Sequence, residues 1–577
     1  MLELLEVLGF GAKWRSWNTG LLSTASSSVL INGSQGRKFF HKAGLRQGDP
    51  LSPMLFIIAL EPLQKMLALA KQESALQPIH SRAAKIRVSL YADDAAVFAN
   101  PIKEDINLIK EVFGEASGLK INLAKSAVYP IRCDGIDLQE VLADFRCNVL
   151  SFPCKYIGLP LSVRCLRRVD VQPFIDKVAS KLPAWKGKFT NKSGRLKLIN
   201  AVLTSMPVYF LTVFALKKWA LKKIDKIRRS FLWKGAEAVN GGHCLVRWEK
   251  AVLPKNKGGL GILDLELFSR ALRLRWLWFA WTEPDRPWVG TKPPCDETDM
   301  CLFRACTKVT VGDGRTARFW QCAWLNGSAP RDLAPSLYEL AWRKQNSVQE
   351  DLRNMNWTRG LWRMQTVEQM AEFVALWDAV QNVQLTQQPD VIVWKWTANG
   401  MYTAKSAYNI QLQGVFSTFD GRTLWKAHAE GKHKFFMWLL LQAKILTADK
   451  LLIRNWPCNP TCSLCDQENE TALHLCFNCS YAKEVWHLVF TWANLDPSPI
   501  QADCDDIQFW WASVLQLHSF KKQRSLAAIL MVSAWNLWNE RNRRVFSNKF
   551  QQPAQVFGLI KAELLLYVAA CGRPELP

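Results

Sequence analysis

The sequence predicts an α+β protein that is mixed at its start and mainly helical afterwards. Three observations predict this class. Over the first 130 residues, short apolar runs and turn residues alternate in the order β-hairpin, helix, β-hairpin, helix. From about residue 160 to 285, apolar residues recur at helical spacing within a strongly basic stretch. A cluster of Cys and His residues then lies at 458–479, which predicts a small separate module.

Turn chemistry predicts the first elements. The segment SSSVLINGSQGRKFF (26–40) is typical of a hairpin in which INGSQG forms the turn. GLRQGDP (44–50) is a Gly-rich loop, and Pro50 lies where a helix would begin. The apolar residues of 53–72 then predict a mostly buried helix.

The segment SLYADDAAVFAN (89–100) predicts a strand, a turn and a second strand, because β-branched and aromatic residues flank the two carboxylates. A helix over 103–118 follows, closed by Gly118. Asp93 and Asp94 could simply form a solvated turn. Alternatively, carboxylates on a hairpin turn project into a cleft and hold Mg²⁺, which prefers oxygen ligands.

The basic region is predicted to be helical. Residues 215–235 place Leu221, Ile224, Ile227 and Phe231 on one face and Lys and Arg residues on the other. That charged face fits a solvated surface and a phosphate-binding surface equally well. The uncharged run at 198–216 is long enough to span a bilayer. Its polar residues and proline instead predict two buried helices broken near Pro207, and no membrane partner.

Charge and composition indicate a polyanionic partner inside the cell. The chain has 74 Lys and Arg against 50 Asp and Glu, a formal net charge of +24. Such a balance is typical of nucleic-acid binding, although it also keeps a basic protein soluble. The first residues lack the basic start of a signal peptide, and the 16 Cys are scattered. We therefore expect an intracellular protein, nuclear or cytoplasmic, that is not secreted.

The Cys and His cluster predicts a structural Zn²⁺ site. Cys462 and Cys465 form a CxxC pair, and His474 and Cys479 follow at spacings that suit tetrahedral zinc. Cys458 and Cys476 are further thiols that compete for the fourth position. The alternative is a set of buried residues without metal. A closed site of this kind leaves no open coordination position, so we assign it no catalytic role.

Several motifs together resemble a known family. They are HKAGLRQGDPLSPMLFIIALEPL before the carboxylate pair, SGLKINLAKSAVY (117–129), FPCKYIGLPLS (152–162), SGRLKLINAVLTSMPVYF (193–210), FLWKG (231–235), KGGLGILDL (257–265) and VGDGRTARFW (311–320). In this order and spacing they resemble the reverse transcriptase of LINE-type non-LTR retrotransposons, particularly those of plants. The Cys/His region resembles the zinc-binding domain found downstream of those enzymes.

The resemblance implies a partial right-hand polymerase palm, then a mainly helical thumb and connector, then a small zinc-binding domain. The implied boundaries are 1–160 for the palm, 161–285 for the basic helical thumb and connector, 286–399 for a linker and connector region, 400–490 for the zinc-binding domain and 491–577 for a C-terminal helical tail. It implies RNA template and DNA primer or target as partners.

The resemblance also implies roles for individual residues. Asp93 and Asp94 match the catalytic pair that binds Mg²⁺, with Tyr91 beside them near the primer end. The residues that match nucleotide-binding and primer-binding positions are Gln47, Gly48, Asp49, Pro50, Lys125, Tyr156, Ile157 and Gly158.

In one respect the chain departs from the family pattern. A third metal-binding carboxylate lies in a segment resembling AFDxxxW, upstream of the stretch that matches MLELLEVLGFGAKW (1–14). We therefore expect an RNA-directed DNA polymerase remnant that is inactive alone. The alternative is a non-catalytic nucleic-acid-binding remnant that uses the basic thumb and the zinc domain.

Overall fold

The chain forms two compact units. The computed structural model describes all residues except 43, 47, 80–86, 92–93, 117–121, 146, 183–186, 237–242, 417–418, 420, 499–504, 517 and 576–577, and the side chains of 115–116. The first unit comprises Met1–Val171 with Asp285–Lys292, and the second comprises Gln172–Pro284 with Pro293–Pro577.

Among the residues that the structure describes, ten short strands belong to the first unit. They are β1 (Ser26–Ser27), β2 (Leu30–Ile31), β3 (Ser34–Gln35), β4 (Phe39–Phe40), β5 (Val88–Tyr91), β6 (Asp94–Val97), β7 (Ala127–Val128), β8 (Asn148–Val149), β9 (Cys154–Tyr156) and β10 (Leu159–Leu161). The pairs β1–β4, β2–β3, β5–β6 and β9–β10 are antiparallel, and β7–β8 is parallel.

The two predicted hairpins are confirmed. In the first, Leu30 pairs with Gln35 and Ile31 with Ser34. Its turn has positive φ at Asn32 (49°) and Gly33 (83°), as a two-residue turn that matches strand twist requires. In the second hairpin, β5 and β6 are in register from Val88 opposite Val97 to Tyr91 opposite Asp94.

The helices up to residue 180 are α1 (Leu2–Val7), α2 (Ala12–Ser23), α3 (Ser52–Gln72), α4 (Lys103–Glu111), α5 (Leu138–Val141) and α6 (Arg168–Ser180). Helix α3 begins two residues after Pro50, and Pro53 lies in its first turn. Helix α4 continues into a π-helical turn, Val112–Ala116, and the predicted capping Gly118 lies outside the described residues. Leucines of α3 pack against Val88 of β5 and Ile109 of α4, which forms the core behind the carboxylate hairpin.

A buried carboxylate fixes the base of that hairpin. Asp105 of α4 is fully buried and lies 3.5 Å from the buried Arg87 guanidinium. It also accepts hydrogen bonds from the Gln77 N–H at 3.0 Å and from the Asn100 side-chain amide at 3.2 Å. These partners satisfy a charge that would be very costly if it were unpaired.

The second unit is mainly helical. Its helices after α6 are α7 (Lys192–Leu198), α8 (Met206–Val213), α9 (Lys218–Trp233), α10 (Trp248–Ala251), α11 (Leu265–Thr282), α12 (Glu297–Cys306), α13 (Pro330–Leu333), α14 (Pro335–Leu340), α15 (Val348–Leu352), α16 (Asn356–Arg359), α17 (Val367–Val380), α18 (Ala404–Ile410), α19 (Gly421–Lys426), α20 (Gly431–Leu440), α21 (Ala448–Leu452), α22 (Ser480–Trp492), α23 (Ile507–Gln516), α24 (Phe520–Ser547) and α25 (Pro553–Cys571). Strands β11 (Thr307–Thr310) and β12 (Val391–Trp394) pair antiparallel.

The segment 198–216 breaks close to the predicted position. Helix α7 runs into a π-helical turn, Ile199–Leu203, and α8 starts at Met206 with Pro207 in its first turn. In α9 the predicted apolar face is buried at Leu221, Ile224 and Phe231. The prediction that its basic residues share the opposite face is wrong for Arg228, which is fully buried and donates to Asp225 at 2.7 Å and to the Leu263 carbonyl at 2.6 Å.

Residues between 296 and 394 form ordered structure where composition predicts a linker and connector region. Helix α12 begins inside the Pro-rich segment because the Asp296 and Asp299 side chains cap its start reciprocally. Asp299 is fully buried and receives two hydrogen bonds from Arg273 of α11, at 2.8 and 3.0 Å. An aromatic core that includes Phe319, Trp320 and Trp357 follows.

In the described part of the chain, three helices are long and apolar enough to cross a membrane, by length and composition alone. They are Ser52–Gln72, Lys192–Val213 and Pro553–Cys571, and between 17% and 39% of their apolar windows is buried in the fold. Lys192–Val213 contains most of the uncharged run that the sequence analysis interprets as two buried helices. The absence of a membrane partner stays a prediction.

Candidate metal centre and carboxylate hairpin

The CxxC loop of the second unit is built by backbone hydrogen bonds. The Cys462 N–H donates to the Glu468 carbonyl at 2.7 Å, and the Asp466 N–H donates to the Cys462 carbonyl at 2.8 Å. Asp466 has a positive φ of 57°, and this tight turn lets Asn469 pair with Thr461 on the other side of the loop. This tight loop points both thiols to the same side.

His474 and Cys479 come from the two ends of one π-helical turn, His474–Asn478. The His474 N–H donates to the Thr471 hydroxyl at 3.1 Å, and the Cys479 N–H donates to the His474 carbonyl at 2.8 Å. Cys479 also occupies the N-cap of α22. The π turn therefore brings the imidazole and the thiol within reach of the CxxC sulfurs.

The structure brings all four predicted zinc ligands together. The sulfur atoms of Cys462, Cys465 and Cys479 and one ring nitrogen of His474 all lie within 4.8 Å of one another. Cys462 Sγ is 4.0 Å from Cys479 Sγ, and Cys465 Sγ is 3.3 Å from His474 Nε2. Tetrahedral zinc with Zn–S bonds of about 2.3 Å separates two sulfurs by about 3.8 Å. The donor set and its spacing thus fit a closed zinc site.

Proton affinities within the quartet reflect its close packing. Hydrogen bonding with Cys479 and then burial raise the pKa of Cys462 to about 12. Hydrogen bonding from Cys462 lowers the pKa of Cys479, and N–H groups at the start of α22 add to this effect. Hydrogen bonds with Cys462 and Cys465 outweigh burial and raise the pKa of His474 to about 9. A metal that binds here must displace these protons.

The two competing thiols lie outside the quartet. Cys476 is fully buried, and burial raises the pKa of its thiol. Its carbonyl accepts the Trp486 indole N–H at 2.7 Å. Cys458 directs its thiol to the Ala448 carbonyl, 3.7 Å away. The geometry therefore favours Cys479 for the fourth position.

Three residues that the sequence analysis does not single out hold this module in place. Glu470 is buried and forms an ion pair with Arg541 of α24 through three hydrogen bonds of 2.7 to 3.1 Å. Glu470 also accepts the Ala448 N–H at the start of α21, at 2.8 Å. Arg544 donates to the carbonyls of Ser463 and Leu464, at 3.1 and 3.0 Å. The run NERNRR (539–544) is the one sequence signal that could have pointed to these contacts.

The carboxylate hairpin belongs to the first unit. Tyr91 pairs with Asp94 at the end of the β5–β6 hairpin, and both residues are exposed. Asp93 lies outside the described residues. Of the carboxylate pair, only Asp94 can therefore be compared with the requirements of Mg²⁺. Its carboxylate is exposed at the first position of β6 and offers the oxygen ligands that Mg²⁺ prefers.

Tyr156 lies directly against the strand that leads to this hairpin. Its hydroxyl is 3.0 Å from the Ser89 hydroxyl and 3.1 Å from the Ser89 carbonyl. The turn after Tyr156 has positive φ at Ile157 (49°) and Gly158 (78°). A Cβ added at Gly158 would meet no atom within 4 Å, so the backbone there is open to a ligand. The predicted primer-contacting turn is thus fixed to strand β5.

The other predicted positions form local turns. Gln47 lies outside the described residues, and Gly48 has a φ of 85°. The Asp49 carboxylate accepts the Leu51 N–H at 2.8 Å, which shapes the chain around Pro50 before α3. Lys125 is exposed, and its N–H donates to the Asn122 carbonyl at 3.0 Å.

Comparison with known proteins identifies both regions. The reverse transcriptase (RNA-dependent DNA polymerase) family matches residues 4–161, and the family of zinc-binding domains in reverse transcriptases matches residues 402–486. A protein of Arabidopsis thaliana named as a ribonuclease H protein is 25% identical over 371 residues, which cover 57% of each chain. The Transposon TX1 uncharacterized 149 kDa protein of Xenopus laevis is 26% identical over 297 residues, 50% of this chain and 22% of its own.

A third relative is the retrovirus-related Pol polyprotein from the type-2 retrotransposable element R2DM of Drosophila melanogaster. It is 25% identical over 277 residues, which cover 43% of this chain and 23% of the polyprotein. The chain therefore spans between a fifth and three fifths of the length of these curated relatives. It is similar to the non-LTR retrotransposon reverse transcriptases, because residues 4–161 match the reverse transcriptase family and residues 402–486 match the reverse transcriptase zinc-binding family.

Proposed function

We propose that this chain is a retrotransposon-derived protein of the RNA-directed DNA polymerase type that binds an RNA template and a DNA primer. The contact between Tyr156 and Ser89 is the observation that carries the proposal. It joins the residue before the turn of Ile157 and Gly158 to strand β5, which leads to Tyr91 and Asp94, and this supports a single site formed by the two segments. A polymerase site requires this closeness, because the primer end must lie beside the carboxylate that binds the metal.

Within this site the chain's own residues would hold the metal ion and orient the primer strand. Asp94, together with Asp93, would hold Mg²⁺, which stabilises the attacking and leaving oxygens of phosphoryl transfer when it is bound. Tyr156 fixes the exposed Gly158 backbone relative to β5, so that a primer strand laid on this turn is aligned with the hairpin. The exposed Lys125 adds a cation for a phosphate.

We further propose that the chain alone holds template and primer without extending the primer. In the part of the sheet that the structure describes, β5 pairs with β6 in a two-stranded sheet. A two-metal site needs a further carboxylate from a neighbouring strand, and its loss lowers the rate by orders of magnitude. The described sheet supplies no such strand.

A primer-extension assay with the whole chain, Mg²⁺ and an annealed RNA template tests this proposal. We expect no extension above background, together with binding of the template-primer in a fluorescence anisotropy titration. Template-dependent extension that Asp94→Asn abolishes would show a complete polymerase and overturn the proposed inactivity. Absence of binding at low salt would overturn the nucleic-acid partner.

A second candidate is a nucleic-acid-binding protein that uses only the basic helices and the zinc module. The observation that favours it is the assembled Cys/His quartet, which needs no polymerase site. The two candidates differ in the role of the hairpin. If the primer end is bound there, Tyr156→Ala and Asp94→Asn should weaken binding of a primer-template junction more than binding of a plain single strand. Equal effects on both ligands would favour the second candidate.

A further inference from the structure

Four cationic side chains of the second unit converge near Trp425, and together we call them the cation cluster. Each comes from a different segment, so the cluster is assembled by the fold and is not visible as a run in the sequence. Its members are Lys197 of α7, Lys255 in the turn before α11, Lys434 of α20 and Arg524 of α24.

Contacts around Trp425 of α19 locate three members of the cluster, and Lys197 belongs with them because burial, together with its charge, lowers the pKa values of Lys255 and Lys434. The Lys434 ammonium donates to the Trp425 carbonyl at 3.3 Å, and the Lys255 ammonium lies 5.2 Å from the centre of the Trp425 ring. The Arg524 guanidinium donates to the Lys426 carbonyl at 2.8 Å. The indole N–H of Trp425 donates to the Gly259 carbonyl at 3.0 Å, which fixes the ring.

These cations repel one another and lack carboxylate partners among the described residues. Burial, and then the charges of Lys255, Arg524 and Lys197, lower the pKa of Lys434 to about 8. The neighbouring Lys432 differs, because it forms ion pairs with Glu430 at 3.2 Å and Glu563 at 2.9 Å. Uncompensated like charges cost folding free energy, so their convergence indicates an anion as the missing partner.

We infer that the cation cluster binds the phosphate backbone of a nucleic-acid strand. The inference deepens the proposed function, on which it rests, by assigning a place in the second unit where the strand is held. Three ammonium groups and one guanidinium spread over four segments suit successive phosphates along a strand better than one small anion. The chain's net charge of +24 makes a polyanion the favoured ligand.

The test compares two double variants of the whole chain that lose equal charge. Lys197→Gln with Lys434→Gln removes two cations of the cluster. Lys308→Gln with Lys405→Gln is the control, because both lysines are exposed on other elements, β11 and α18. Binding of a labelled single-stranded RNA is followed by fluorescence anisotropy over a series of salt concentrations, with thermal unfolding as a check that each variant folds.

We expect the cluster variant to bind about tenfold more weakly than the control and to lose about 1.4 from the slope of log affinity against log salt, since each single-strand phosphate contact contributes about 0.7. Equal affinity and slope in the two variants would overturn the inferred site while leaving nucleic-acid binding intact. No RNA binding by the unaltered chain would instead overturn the proposed function.

A second measurement reads the site directly and needs no substitution. The unaltered chain is acetylated with an amine-reactive ester, with and without the RNA, and each lysine is quantified by mass spectrometry. We expect the RNA to protect Lys197, Lys255 and Lys434, while Lys308 and Lys405 stay reactive. Protection confined to other lysines would overturn the inference. Protection by acidic phospholipid vesicles but not by RNA would overturn it as well, in favour of a membrane ligand.

Discussion

At the scale of single residues, three of the buried carboxylates of this protein are paired with arginines at least 18 residues away in the sequence. Asp105 pairs with Arg87, Asp299 with Arg273 and Glu470 with Arg541, and all six side chains are buried. Each carboxylate also accepts backbone N–H groups or further side-chain donors. Such residues resemble catalytic or metal-binding carboxylates in the sequence, yet their geometry assigns them a structural role.

The pair of Glu470 and Arg541 predicts a large loss of stability when one partner is removed. Arg541→Ala should lower the free energy of unfolding by about 3–5 kcal/mol, because Glu470 would remain as a buried, unpaired charge. Denaturant titration measures this loss. Lys521→Ala, which breaks an exposed pair with Glu575, is the control and should cost less than about 1 kcal/mol. Equal effects of the two substitutions would contradict the structural role of Arg541.

Neighbouring cysteines provide a matched test of zinc ligation. We expect purified whole chain to contain about one zinc per molecule, Cys479→Ala to lose most of it, and Cys476→Ala to retain it, because only the Cys479 sulfur lies in the quartet. Atomic absorption measures the metal content. Loss of zinc in Cys476→Ala with retention of zinc in Cys479→Ala would show that Cys476, and not Cys479, is the fourth ligand.

At the scale of elements, α25 is joined to α20 and α24 by one carboxylate. Glu563 of α25 accepts hydrogen bonds from His433 of α20 at 3.1 Å and from Asn536 of α24 at 3.0 Å, and it pairs with Lys432. Burial alone would raise the pKa of Glu563, but these donors outweigh burial and hold the pKa at about 2. The ionised carboxylate is therefore the form that the fold prefers.

This shift predicts an acid-sensitive junction. A carboxylate whose pKa is lower in the folded state stabilises fully above its ordinary value of 4.5, and the stabilisation is lost as the pH falls toward 2. We expect Glu563→Gln to be less stable than the unaltered chain at pH 6 by about 1–2 kcal/mol, allowing for solvent screening. The difference should shrink between pH 4.5 and 2 in denaturant titrations. A constant difference over that range would exclude Glu563 as its source.

The elements were predictable from the sequence where local chemistry determines them. The turn residues Asn32 and Gly33 predict the first hairpin, the carboxylate pair marks the second, and Pro207 marks the helix break. Long-range pairing is not encoded locally. Nothing in the segment around Arg228 indicates that this cation is buried while its neighbours are exposed, because its partner carbonyl at Leu263 lies 35 residues away.

The candidate sites show the same division. The spacing of Cys462, Cys465, His474 and Cys479 predicts the zinc quartet, although spacing alone left Cys458 and Cys476 as competitors. The structure favours Cys479 because a π-helical turn, which no periodicity in the sequence signals, places its sulfur beside that of Cys462. The cation cluster escapes sequence analysis because its members come from four separate segments.

At the scale of the whole molecule, the carboxylate hairpin and the zinc module belong to different compact units. The second unit contains the quartet, and metal binding to a folded site stabilises the unit that contains it. A zinc chelator should therefore lower the unfolding temperature of the second unit and leave that of the first unchanged. Differential scanning calorimetry of the whole chain measures both, and Cys462→Ala identifies the zinc-dependent transition. An equal shift of all transitions would show that the units unfold together.

The contacts of Arg541 and Arg544 matter when one judges from a gene sequence whether the zinc module can fold. The matched zinc-binding family ends at residue 486, whereas both arginines lie more than fifty residues later on α24. A premature stop codon between these positions would leave both recognisable domains intact in an open reading frame. It would nevertheless remove Arg544, which donates to the carbonyls of Ser463 and Leu464, and Arg541, which pairs with Glu470. Among copies of such an element, the codons for α24 are thus a better guide than the domain matches to whether the zinc module still folds.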